Sequence, residues 1–243
     1  MAGMFYPGEP AELRRMIEGF LAEAKPGPHP KAIIAPHAGY VYSGPIAASV
    51  YKRINPESIS RVVLIGPSHR VAFRGLAASS APAWRTPLGE VSVARPNFVQ
   101  ISDAAHAQEH SLEVQVPFLQ TVLGDFTLLP LVAGEASAAE VAEVLEKCWG
   151  GPETLIVISS DLSHYESYKT AREMDTAAAK AILALDERGL EYDNACGLVP
   201  ICGLLHLAKQ KKMRAELVDL RSSGDTAGSR DQVVGYGAFA FYE

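Results

Sequence analysis

"RVVLIGPSH", residues 61–69, reads as a strand with no wet face. Val62, Val63, Leu64 and Ile65 follow one another with no polar alternation. A sheet with one solvated face gives alternation, whereas a parallel strand covered on both faces by helices gives a continuous apolar run. The stretch therefore predicts an internal strand of an α/β domain. It stops at Gly66-Pro67-Ser68, all turn formers, and a histidine follows at once, His69.

The same grammar appears twice more. "KAIIAPH", 31–37, is a short strand over Lys31 to Ala35 that ends in Pro36 and His37. "ETLIVISSDLSH", 153–164, is a third apolar strand that ends in small and polar residues, with Asp161 and then His164. Between these runs the sequence reads as helix. Residues 9–24 place Leu13, Ile17, Phe20 and Leu21 on one face. A second helix starts near Ser43 with Pro45 in its first turn. "HSLEVQVPFLQTVLG" predicts one helix bent at Pro117. Ser137 and Glu140 form a capping-box pattern before another, which Gly150 follows. A long helix is expected over Lys169 to Leu185, and a further one in "LVPICGLLHLAKQKK". A hairpin is expected around Pro87-Leu88-Gly89, a strand in "FTLLPLVAG", and last strands in "AELVDLRSSGD" and "DQVVGYGAFAFYE". "RSSGDTAGSRD" between the last two is either a flexible lid or a surface loop. The expected fold is a single α/β domain over 1–243, with a mostly parallel or mixed central sheet and helices on both faces.

Composition narrows the function classes. The chain has 243 residues, 48% hydrophobic and 21% charged, with a net charge of −6. Charges of both signs are interspersed, which argues against nucleic acid or an anionic membrane as the main partner. No apolar run approaches the roughly 20 residues of a membrane span. "MAGMFYPGEPAELRR" does not read as a signal peptide. Three cysteines, Cys148, Cys196 and Cys202, are too few for a disulfide framework, so a cytoplasmic location is expected.

Functional sites of open parallel sheets lie outside the carboxyl ends of the strands. If the three strands are neighbours, His37, His69 and His164 meet at one edge with Asp161 among them. Neutral imidazole suits zinc, iron and copper. Each histidine alone can equally cap a helix or bond a carbonyl. His106 and His110, spaced i and i+4, can share a helical face. His110 is the better site candidate of the two; His106 and His29 read as surface, and His206 as a packed residue. Cys196 precedes a helix, a position that lowers a thiol pKa. Cys148 and Cys202 read as core. Tyr40 and Tyr42 either line a pocket beside His37 or simply pack.

"AGMFYP", "APHAGYVYSG", "GPSH", "TPLGEV", "EHSLEVQVPFL", "SSDLSHY", "ACGLVP" and "VVGYGA" together resemble the Memo family, in order and nearly end to end. The resemblance implies the fold of the class III extradiol ring-cleaving dioxygenases, which hold ferrous iron with two histidines and a glutamate. It implies His37 and His69 as paired metal ligands and Cys196 as the residue in place of the third. Asp161, His164 and His110 match pocket positions with catalytic roles, and Tyr40 helps enclose a small substrate. A thiolate moves the metal preference toward copper(I) or zinc beside iron. Some members carry Arg-His after the Cys-Gly, where this chain has Leu198-Val199. The expected function is iron- or copper-dependent redox or oxygenase-type chemistry on an unknown small molecule. The alternatives are a non-catalytic peptide-binding signalling module and a zinc hydrolase in which Asp161 activates water. Gene association in microbes implies Ammecr-type and radical-SAM pathway partners.

Overall fold

In the computed structural model, which describes residues 1–243 with the side chain of Tyr192 excepted, the three apolar runs are adjacent strands. In chain order the first elements are α1 (Pro10–Glu23), β1 (Ala32–Ala35), α2 (Tyr40–Tyr51) and β2 (Arg61–Pro67). Then come β3 (Leu76–Ala78), the hairpin of β4 (Ala83–Thr86) and β5 (Gly89–Val93), and β6 (Gln100–Ile101). Three short helices follow, α3 (Asp103–Ala107), α4 (His110–Glu113) and α5 (Val116–Leu123), before β7 (Thr127–Ala133). The second half holds α6 (Ala138–Cys148), β8 (Thr154–Ser159), β9 (His164–Glu166), α7 (Tyr168–Leu183), α8 (Leu198–Gln210), β10 (Arg214–Ser222) and β11 (Val233–Tyr242).

Among the described residues the main strand order is β10-β11-β1-β8-β2-β7-β3-β6. β1, β8, β2 and β7 are parallel. β11 is antiparallel to β1, as β3 is to β7, so the sheet is mixed. Every residue of β1 and β8 is buried, as an uninterrupted apolar run requires. Alternate residues face opposite layers. Ile34, Val63, Ile156 and Ile158 pack with residues of α6, α7 and α8. Ile33, Val62, Leu64 and Val157 pack with residues of α1, α2 and α5. Each such side chain contributes about 1.5–3 kcal/mol on burial.

Helix α8 lies against α6 with Gly203 at the contact, where a Cβ would overlap the Val141 side chain. We expect Gly203→Val to cost about 1–3 kcal/mol through overpacking. Urea unfolding checks this: the midpoint falls while the m-value holds.

Several boundaries differ from those expected. α2 starts at Tyr40 rather than near Ser43, so Pro45 lies inside the helix. The helix expected to bend at Pro117 is instead broken into α4 and α5, with Pro117 in the opening turn of α5. A missing N–H is costless there, because first-turn donors have no intrahelical partner. His106 and His110 consequently share no helix: His106 lies in α3, and Glu109 caps α4. The third apolar strand ends at Ser159, and its last residues form a loop leading into β9. Cys148, the last residue of α6, is buried. "RSSGDTAGSRD" is not wholly a loop, since Arg221 and Ser222 belong to β10, and Asp225 accepts hydrogen bonds from the Ser222 N–H (2.9 Å) and hydroxyl (3.0 Å).

Candidate metal centre

β1, β8 and β2 run parallel side by side, so residues following their carboxyl ends emerge at one edge. Ala35 pairs with Ser159 in the register, and His37 follows two residues later. His37 is 1% exposed. Its backbone N–H donates to Asp161 Oδ1 at 2.7 Å, and its ring Nδ1 lies 2.9 Å from Ser159 Oγ.

The surrounding hydrogen bonds fix which ring nitrogen is free. Tyr51 donates its hydroxyl proton to Gln115 Oε1 (2.8 Å), which orients that amide. Gln115 Nε2 then donates to Ser159 Oγ (2.8 Å) and to the Pro36 carbonyl (2.9 Å). Ser159 spends its one hydroxyl proton on the Ser111 carbonyl at 2.6 Å. Only a lone pair is left on Ser159 Oγ for His37, so Nδ1 carries the hydrogen and Nε2 is free to ligate.

His69 reaches the same tautomer by another route. Glu109 accepts the His69 backbone N–H at 2.6 Å on one oxygen and ring Nδ1–H at 2.8 Å on the other. The Ser111 N–H adds a third bond at 2.9 Å. Burial pushes the Glu109 carboxyl up, but these bonds outweigh it and hold it at about 2. A carboxylate behind a histidine is a recurrent second layer of metal sites.

His110 opens α4 and completes the group. Its ring stacks on that of His69 with centroids 4.7 Å apart and meets His37 edge-on at 5.3 Å. One ligand atom from each of His37, His69 and His110 lies within 4.8 Å of the others. Burial lowers His37 well below the ordinary imidazole value, and its histidine neighbours lower it further. Burial, then His69, lowers His110 to about 4. Neutral imidazole is the ligating form, so these three histidines can form a metal site.

Cys196 stands on the His37 side of this group, its Sγ 3.3 Å from Nε2. The Asp161 N–H points at the same sulfur from 3.3 Å. The expected lowering of the thiol by the helix start is reversed. Burial, followed by the Asp161 charge, raises Cys196 to about 12. Burial likewise raises the Asp161 carboxyl to about 7, against the pull of the His37 N–H.

The remaining expected site residues fall elsewhere. His164 is exposed on β9, paired with β11, and stands outside the three-histidine group. Tyr40 is 1% exposed and donates its hydroxyl to the Val114 carbonyl at 2.7 Å, between the rings of Phe118 and Tyr6. It supports the core under the site and presents no face to a substrate. His106 is half-buried, not surface: its Nε2 meets the Ala77 carbonyl at 3.1 Å and its ring stands edge-on to Trp84. His29 is also half-buried, accepting the Asn55 N–H at 3.1 Å. His206 pairs with Glu187 at 3.2 Å. Phe5, unremarked in the sequence, stacks on His110 at 4.5 Å.

Behind the loop that carries Asp161, Asp175 of α7 is 4% exposed and accepts the Ser163 N–H at 3.0 Å. Burial raises its carboxyl from 3.8 to about 6. The folded state therefore binds the extra proton, and stability falls as pH rises from about 4 to about 6. Asparagine keeps the acceptor and removes the charge. Asp175→Asn should stabilise the protein at pH 7.5 by on the order of 2 kcal/mol, with the gain vanishing near pH 4. Denaturant melts across that range check it.

Fold and site together define an α/β protein in which two histidines beyond parallel strand ends and a third at the start of α4 are able to hold a metal ion. The family model described as Memo-like protein matches residues 1–240. A MEMO1 family protein of Methanopyrus kandleri is 37% identical over 283 residues, covering 99% of this chain and 97% of its own. Those of Archaeoglobus fulgidus and Aquifex aeolicus are 38% and 36% identical, covering 99% and 97% of this chain and 97% and 95% of their own. The chain belongs to the Memo family. Among the described residues no helix is long and apolar enough to cross a membrane.

Proposed function

We propose that the chain is a metal-dependent enzyme that uses iron or copper for redox or oxygenase-type chemistry on a small substrate. His37 and His69 would hold the ion through Nε2, with Cys196 and His110 as the further donors. The observation that carries this reading is the free Nε2 of His37, its tautomer fixed from behind by Ser159, with the Cys196 sulfur 3.3 Å away. Mixed nitrogen and sulfur donors fit iron, copper and zinc, and not magnesium or calcium. When bound, iron or copper would supply electron transfer, whereas zinc would supply Lewis acidity alone. The chain's own residues do the positioning. Asp161 anchors the His37 peptide, Glu109 anchors both peptide and ring of His69, and Phe5 covers one face of His110. His164, exposed near this edge, is suited to exchange protons with solvent.

Anaerobic reconstitution of metal-free protein with Fe(II), Cu(I) or Zn(II), followed by desalting, tests the reading. The expected result is about one iron or copper retained per chain. Its metal-dependent absorption should change in Cys196→Ser. Retention of zinc alone would favour the hydrolase, and retention of no metal would remove the centre altogether.

A further inference from the structure

A cavity of about 540 Å³ opens beside Cys196. That size lies in the ordinary range for small-molecule sites. One wall is the segment after β2, with Val71 and Phe73; the other is the first turn of α8, with Leu198 and Val199. These four side chains are only half-buried, so apolar surface is left in contact with water that a ligand would displace. The polar groups are few. The Ser68 hydroxyl is already spent on the Val71 carbonyl at 2.6 Å. Arg74 and Glu135 are exposed and bring opposite charges on adjoining, bridged backbone. A dianionic group would find one guanidinium there, offset by a carboxylate.

We propose that this cavity binds an uncharged, largely apolar small molecule of the size of one or two rings and is the substrate pocket of the metal centre, which it meets at Cys196. The assignment as substrate pocket rests on the metal-centre reading; the binding itself does not. Leu198 and Val199 are then specificity residues, setting an apolar wall at the helix start.

The probe is 1-naphthol, followed by its own fluorescence, with phenyl phosphate as competitor. Wild-type protein should bind 1-naphthol saturably, with or without metal, and phenyl phosphate should displace it poorly. Val199→Asp places a charge on the wall and should weaken binding at least about tenfold. Ala72→Glu, at an exposed lining residue clear of the core, should weaken it about threefold and guards against a folding defect in the first variant. Absence of saturable binding, equal binding by wild type and both variants, or tighter binding of phenyl phosphate would overturn the proposal. Metal content is measured on the same samples. Wild-type protein that retains metal but does not bind 1-naphthol overturns the pocket alone; wild-type protein that binds 1-naphthol but takes up no metal supports the pocket and overturns the metal centre.

Discussion

His37→Ala and His69→Ala each lower retained metal from about one ion per chain to less than about a tenth, when prepared and desalted like wild type. The size of this effect follows from how the donors are assembled. Each histidine is held at ring and peptide, the His37 ring by Ser159 and its N–H by Asp161, the His69 ring and N–H by the two oxygens of Glu109. Ligation therefore costs little ordering, and no nearby side chain replaces a lost ring at the same place. His110 remains in either variant, but one or two donors hold a transition ion far less tightly than three or four. His37 is fully buried, so its removal also leaves a small void and costs some stability. Thermal melting of the metal-free proteins separates the two effects. A folded His37→Ala or His69→Ala protein with wild-type metal content would show that the ion, if any, sits elsewhere.

The convergence of these rings was readable because it depends on few facts. Three uninterrupted apolar runs each predict a strand covered on both faces, and such strands stack side by side in parallel. Their carboxyl ends then share an edge, as those of β1, β8 and β2 do in register, which brings His37 and His69 together. By the same rule His164 is the expected third ring, but the chain after β8 carries it out onto β9, and His110 of α4 takes that place. The supporting layer was not readable. Ser159 reads in sequence as a strand-ending residue, yet it sets the His37 tautomer because Ser111 and Gln115, 48 and 44 positions away, claim its other bonding capacity. Glu109 was visible beside His110 in "EHSLEVQ", but its partner is His69, 40 positions away. Cys196 shows the same limit: sequence sees the helix start that follows it, while burial beside Asp161 decides its proton affinity. Tyr40, next to the site in sequence, points into the core because α2 begins with it and Phe118 waits below.

Glu109→Gln should weaken metal binding about 10–100-fold while leaving the fold intact, although no atom of Glu109 need touch the ion. The carboxylate offers only acceptors, and it meets three donors: the His69 N–H, the His69 ring Nδ1–H and the Ser111 N–H. Glutamine has the same shape but must present an NH₂ at one end. Turned toward the backbone, that group faces the His69 N–H, donor against donor. Turned toward the ring, it drives the imidazole proton onto Nε2, the nitrogen that would hold the metal. Either orientation withdraws His69 as a pre-oriented ligand. Because hydrogen bonds keep the wild-type carboxyl near 2, it stays ionised throughout pH 5–8. Titration of the Glu109 carboxyl itself therefore adds nothing to the ratio of wild-type to variant affinity across that range. Chelator competition at pH 5.5, 6.5 and 7.5 measures it. An affinity within about twofold of wild type would mean that the Glu109–His69 bond serves folding only, and that His69 is oriented for some purpose other than binding an ion.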